Sequence, residues 1–386
     1  MSLVGDARKT AYIRCHRNAG SVYGCNRMQA SATIARLYGI ASRSTKRMSA
    51  KRIVKRGLQH VAARLGPQRR SSREPQLLIL MYHRVLPITH PDMADVEPGM
   101  VVTPQSLDMH LAIVRQHFTL LHLSEWLALR AAGKPLPQKA CVITFDDGWA
   151  DNVEFAYPVL QKQGVPATIF LVADWVGTRN EFWPERLARL LRHVSLQAPE
   201  RFAGAEFAWL RTSGTTFAFG EQPPTREQLN QIFVYCKQWS DEELHQRLDE
   251  LTQCSALPPL TTPVLMDWRD VATLSAGGLV EFGSHTCRHV RLREGLDAGV
   301  MHREIADSHR LIREATGRAP ETFCYPNGDH SSQAVAQVRK IYKGAVSTQN
   351  GWNGVSSDGW LLRRIGIHND VAADAIAFEA RVSGWL

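Results

Sequence analysis

Nine residues constrain this chain most: Ala140-Cys-Val-Ile-Thr-Phe-Asp-Asp-Gly148. The apolar run reads as a buried strand of a parallel sheet, since strands covered on both faces lose the polar alternation of half-exposed ones. It delivers two adjacent carboxylates, Asp146 and Asp147, to its C-terminal end, where α/β folds keep their chemistry. Touching anions repel unless a cation or a proton intervenes, so the pair suggests one metal ligand beside one proton acceptor. Taken alone, Asp-Asp-Gly also reads as a plain turn.

The flanking pattern alternates strand and helix. Gln76-Leu-Leu-Ile-Leu-Met-Tyr82 predicts a first buried strand, where order should begin, ending at His83-Arg84. Thr103-Pro104 opens a helix to Arg115. After the strand at 140–145 come a helix from about Ala150 to Gln163, closed by Gly164, and a strand Ala167–Val172. The rhythm breaks at 174 to about 262, which reads as an insertion because the pattern then resumes. A helix from Asp267, a strand Leu279–Gly283, a helix over 298–316, a strand Thr322–Tyr325, a helix to Lys343 and strands Ala345–Ser347 and Leu361–Ile367 follow. This predicts an α/β fold with a parallel sheet or barrel. The expected division is an extension at 1–75 and a catalytic domain at 76–386.

The net charge of +9 is unevenly spread: residues 1–75 hold 17 Lys/Arg against two acidic residues, leaving −6 for the remainder. A mildly acidic body argues against nucleic acid as the partner. Seven cysteines form no Cys-x-x-Cys pair and no disulfide framework. With neither a run of about 18 apolar residues nor a secretory core, a reducing, cytoplasmic location is expected. The leader carries a basic amphipathic pattern from Ala50 to Leu65, with Ile53, Val54, Leu58, Val61 and Leu65 on the apolar side. Peripheral contact with an anionic membrane, organelle targeting, a disordered tail and a true start at Met48 all stay open for it. The oligomeric state is not legible.

His285 and His289 follow a predicted strand end, four residues apart. In a helical turn both imidazoles point the same way and can share one cation, while two histidines and a carboxylate leave an open position for water. His-x-x-x-His also arises by chance in a chain with 15 histidines. Trp149, Trp175, Trp183 and Trp268 suit either a sugar groove or the core.

Thr144-Phe-Asp-Asp-Gly148 and Ser284-His-Thr-Cys-Arg-His289, with Met81-Tyr-His-Arg-Val85 and Val165-Pro-Ala-Thr-Ile-Phe-Leu171, resemble motifs of the polysaccharide deacetylase superfamily, the NodB-homology carbohydrate esterases. The resemblance runs from about Leu78 to His368. It implies a distorted (β/α) barrel of about seven strands and a divalent metal, Zn²⁺ first, with Co²⁺, Ni²⁺ or Mn²⁺ as alternatives. The implied reaction is hydrolysis of acyl groups on an acetylated glycan. Carried over by position, Asp146 resembles the catalytic base, and Asp147, His285 and His289 resemble the metal ligands. The third motif reads Phe323-Cys-Tyr-Pro-Asn-Gly328, which places Tyr325 and Pro326 among substrate contacts, with Trp149, and makes the Asn327 backbone N–H an oxyanion donor. The Arg that braces the catalytic Asp in this family is missing at Cys324, and Arg364 on the last strand is the candidate to replace it. Gly366-Ile-His368 loosely matches the motif supplying the general acid, so His368 takes that role and His83 a supporting one. The implied activity is N-deacetylation of an amino sugar in a polymer or lipid-linked glycan. The alternatives are deformylation, O-deacetylation or a catalytically silent glycan binder.

Overall fold

Seven strands form the frame: β1 (Gln76–Tyr82), β2 (Lys139–Phe145), β3 (Ala167–Leu171), β4 (Val280–Ser284), β5 (Thr322–Cys324), β6 (Gly344–Val346) and β7 (Ile365–Gly366). The structure is a computed structural model and describes residues 50–385. The strands β1 to β6 pair in parallel in chain order. Strand β7 pairs in parallel with β1 through Leu80↔Ile365 and Met81↔Gly366. Leu362, just ahead of it, bridges Val346 and completes the ring. Distortion follows from the brevity of the later strands, with β4 and β5 sharing one registered pair, Ser284↔Phe323. The fold is thus the distorted α/β barrel that the strand-helix rhythm and the motifs imply.

Strand alternation sorts side chains into two cores. Leu77, Ile79, Ala140, Val142, Phe170, Cys324, Val346 and Leu362 meet inside the ring. Leu78, Leu80, Cys141, Ile143, Phe145, Ile169 and Ile365 face the surrounding helices. The inward parity of Val142 continues through Thr144 to Asp146, so the period of a strand aims this carboxylate into the barrel mouth.

Helices α2 (Pro104–His117), α3 (Leu123–Ala131), α4 (Tyr157–Gln163), α8 (Trp268–Ala276), α9 (Ala298–Thr316), α10 (Ser332–Ile341) and α11 (Ala375–Val382) connect or cover the strands. Helix α2 starts as predicted: the Thr103 side chain accepts from Ser106 N–H, and Leu107, Leu111 and Val114 are buried. The insertion holds α5 (Trp183–Gln197), α6 (Arg226–Cys236) and α7 (Asp241–Cys254) around an apolar core of its own, including Leu187, Leu191, Phe202, Phe207, Phe233 and Leu248.

Order begins earlier than Gln76. Residues Ala50–Leu65 form helix α1, and Gln68 just beyond it donates to the Ala62, Ala63 and Glu379 carbonyls. The part of the expected leader before residue 50 lies outside the described residues. Among those described, all five cysteines are free, and no helix is long and apolar enough to cross a membrane.

Candidate active site

Two consecutive left-handed residues end β2: Asp147 at φ 76° and Gly148 at φ 80°. Gly148 suits this turn, because an added Cβ would press on Leu171 Cδ2 at 2.6 Å in a conformation that L side chains rarely adopt. The sharp turn brings both Asp146 and Asp147 to the lining of one cavity of about 450 Å³.

Asp146 is gripped by Arg364. The guanidinium donates from Nη1 to Oδ1 at 2.6 Å and from Nη2 to Oδ2 at 2.8 Å, a two-pronged ion pair with Arg364 only 1% exposed. Arg364 is itself fixed by Nε to the Ser347 carbonyl at 2.9 Å and by Nη1 to Thr144 Oγ1 at 3.2 Å. Cys324 Sγ lies 3.1 Å from Arg364 Nη2, so the guanidinium arrives from the residue just ahead of β7 to occupy the neighbourhood of the small Cys324 side chain. Burial pushes the Asp146 carboxyl up, but the charge and hydrogen bonds of Arg364 outweigh it and hold Asp146 well below the usual carboxylate range.

Asp147 has no such cation. Its Oδ2 accepts from the Trp149 indole at 2.9 Å, and its Oδ1 faces His285 Nε2 at 3.5 Å and His289 Nε2 at 3.7 Å. Burial, then the neighbouring Asp146 charge, pushes its pKa well up. Burial also lowers both histidines, leaving their rings neutral. His285 Nδ1 lies 2.8 Å from the Cys324 carbonyl and donates its proton there, which leaves Nε2 with its lone pair toward Asp147. Two neutral imidazole nitrogens and one carboxylate oxygen, all within 4.8 Å of one another, form a donor set that suits a divalent cation.

The histidines converge for a reason other than the helical turn expected of their spacing. Residues 285–289 form a turn with Thr286 at φ 66° and His289 at φ 60°. Glu304, on the buried face of α9, holds this turn by accepting from the Cys287 and Arg288 N–H groups, each at 2.9 Å. Glu304 was missed in the sequence. A carboxylate spaced with Met301, Ile305 and Ile312 on one helical face was the available signal.

Two further expectations, Tyr325 with Pro326 and His368, are corrected, whereas Trp149 keeps its place in the lining. Tyr325 and Pro326 do not line the cavity; Tyr325 is buried against Phe323, at 5.2 Å between ring centroids, and beside His330, because the strand turns at Asn327 (φ 53°) and points that residue's position to the cavity instead. Trp149 lines the cavity but is 1% exposed, and its polar atom is committed to Asp147. His368 is not among the lining residues and pairs with Asp370 at 3.2 Å, although it stands near enough for its charge to act on His83. His83 is a lining residue, with Nε2 3.8 Å from Asp146 Oδ2. Burial lowers His83 to about 4, only partly offset by Asp146.

A buried polar network steadies this corner. Arg84 sits over the Trp149 ring at 4.3 Å and donates from Nε to Asp151 at 2.8 Å, while Asn152 Nδ2 donates to the His83 carbonyl at 2.8 Å. Opposite, the insertion supplies Trp183, Glu185, Lys237, Trp239 and His245 as one wall of the cavity. Phe182 packs edge-on against His289 at 5.1 Å.

The family model for polysaccharide deacetylase matches residues 133–196 and 225–343, and the unmatched interval lies inside the insertion. YxkH of Bacillus subtilis (strain 168), a protein assigned as a polysaccharide deacetylase, is 29% identical over 132 residues, covering 33% of this chain and 44% of that one. The poly-beta-1,6-N-acetyl-D-glucosamine N-deacetylase of Escherichia coli (strain K12) is 48% identical over 88 residues, 22% of this chain and 13% of that protein. The chain therefore spans less than half the length of either curated relative. A solved polysaccharide deacetylase from Bacillus cereus aligns at a TM-score of 0.49 with 16% identity, over 80% of this chain and 69% of that one. With the family's pattern laid over β2 to β5 and over the turns that carry Asp146, Asp147, His285 and His289, this chain belongs to the polysaccharide deacetylases of the NodB-homology superfamily.

Proposed function

We propose that this chain removes N-acetyl groups from amino sugars of a polysaccharide or lipid-linked glycan with the help of one divalent cation. One observation carries the reading: Asp147, His285 and His289 converge as an unneutralised ligand set directly beside a second carboxylate that Arg364 already neutralises. Relatives named as poly-beta-1,6-N-acetyl-D-glucosamine N-deacetylases support N-acetyl as the acyl group.

The chemistry of the donors favours Zn²⁺, with Co²⁺, Ni²⁺ or Mn²⁺ as substitutes. Asp147, His285 and His289 would hold the cation, which would supply Lewis acidity toward an acyl carbonyl and lower the pKa of water there. The chain's own groups manage the protons. Asp146, kept ionised by Arg364, accepts a proton from the attacking water as the C–O bond forms. The Asn327 N–H is the backbone donor assigned to the oxyanion. His83 starts neutral, so it cannot protonate the amide in advance. It relays the proton from Asp146 to the leaving nitrogen as the C–N bond breaks, and carboxylate and amine remain.

Incubation of the full chain with acetylated β-1,6-linked glucosamine oligomers tests the reading. Acetate and new primary amine should appear in equal amounts, stop with a chelator and resume with Zn²⁺. Acetate without new amine would turn the reading to O-deacetylation, and no release from any acetylated sugar would overturn it.

A further inference from the structure

Helix α1 is amphipathic in the sense opposite to what a folded body requires. Amphipathic helices turn the apolar stripe inward. Here Ile53, Val54, Leu58, Val61 and Leu65 are 57%, 61%, 53%, 50% and 55% exposed, making up most of the large exposed hydrophobics among the described residues. At about 100° per residue these five fall within an arc of roughly 140°. The helix docks through the opposite side, where Ala62 and Ala63 are buried, Arg56 pairs with Asp374 at 2.9 Å, and Gln68 ties the C-terminal end down. Small residues and polar bonds fasten the helix, and its large aliphatic side chains point away from the protein.

We infer that this stripe is a docking face for an anionic lipid surface. Two exposed cations accompany the stripe, Lys55 about 60° beyond its Leu58 edge and Arg64 within it about 20° from Ile53, and both suit lipid headgroups while the aliphatic groups enter the acyl boundary. Beyond the helix, exposed Trp385 lies under the Arg70 guanidinium at 5.3 Å, an aromatic-cation pair of the kind that settles at membrane interfaces. Charge decides against the other occupants. Residues 1–49 carry nine Lys/Arg against one acidic residue, so folding them onto a basic-edged stripe would bring like charges together. A second copy would oppose Lys55 and Arg64 with their own duplicates, and five side chains fall well short of the about 20–30 residues per side of a stable interface.

The test uses the full chain with vesicles of neutral phosphatidylcholine and with vesicles containing about one-third phosphatidylglycerol. Flotation should recover the protein with the anionic vesicles and not with the neutral ones. The double variant Leu58→Glu, Val61→Glu changes only exposed positions and should weaken that binding by roughly tenfold or more, with sugar deacetylation in solution unchanged. Absence of flotation with anionic vesicles, or flotation unaffected by the double variant, would overturn the inference. So would a variant that converts a dimer to a monomer in sedimentation, or one that exposes residues 1–49 to protease without affecting flotation.

Discussion

Two sides of one cavity treat chemically identical carboxylates in opposite ways. On the Arg364 side, Asp146 meets a fixed cation at 2.6 and 2.8 Å and is held ionised. On the Trp149 side, Asp147 meets one indole N–H and two neutral imidazoles, and burial drives its carboxyl toward the protonated form. A buried anion without a countercharge is costly, so the second side lacks one positive charge and the first does not. The proposed division into base and ligand rests on that difference.

The largest break comes from removing the base. Asp146→Asn should lower kcat by roughly 10²-fold or more while Zn²⁺ binding persists, checked by acetate release alongside metal content. Near-wild-type turnover would erase the distinction between the sides.

Removing the countercharge should make the Arg364 side behave like the other. With Arg364→Ala, the main opposition to burial is gone and the Asp146 pKa rises. Asp146 must be deprotonated to act, so the acid limb of the kcat/KM profile should move to higher pH. Leaving one member of a buried pair alone should also cost about 3–5 kcal/mol of stability by denaturant titration. A profile with an unmoved acid limb would show that another group keeps Asp146 ionised.

A smaller effect separates the two histidines at neighbouring strand ends. His83→Gln should slow turnover by roughly 10–100-fold at unchanged metal content, and His368→Gln should stay within about twofold of wild type. The reverse ranking would restore the assignment read from the last strand.

How far the residues alone reached follows physical lines. The barrel and both carboxylates were legible because a continuous apolar run leaves few choices, and strand parity fixes which way Asp146 points. Arg364 was legible through the gap at Cys324 and the closure of β7 on β1. The choice between His83 and His368 was not, since both follow paired strands and only the path of the chain beyond them decides. Tyr325 and Pro326 were misplaced because motif position carries no information about a reversal at Asn327. Glu304 betrayed its burial by its place on an apolar helical face but not its partner, and the Arg84–Asp151 pair was hidden, as a buried charge looks like a solvated one until its partner is known. Helix α1 showed its pattern and concealed its orientation, because periodicity defines two faces without saying which is inside.

Metal binding to the full chain and its two Asp variants tests the asymmetry most directly. Equilibrium dialysis against Zn²⁺ should find about one ion per chain for the wild type and for Asp146→Asn, and none for Asp147→Asn. Retention of the ion by Asp147→Asn, or its loss from Asp146→Asn, would contradict the division of the two carboxylates into ligand and base.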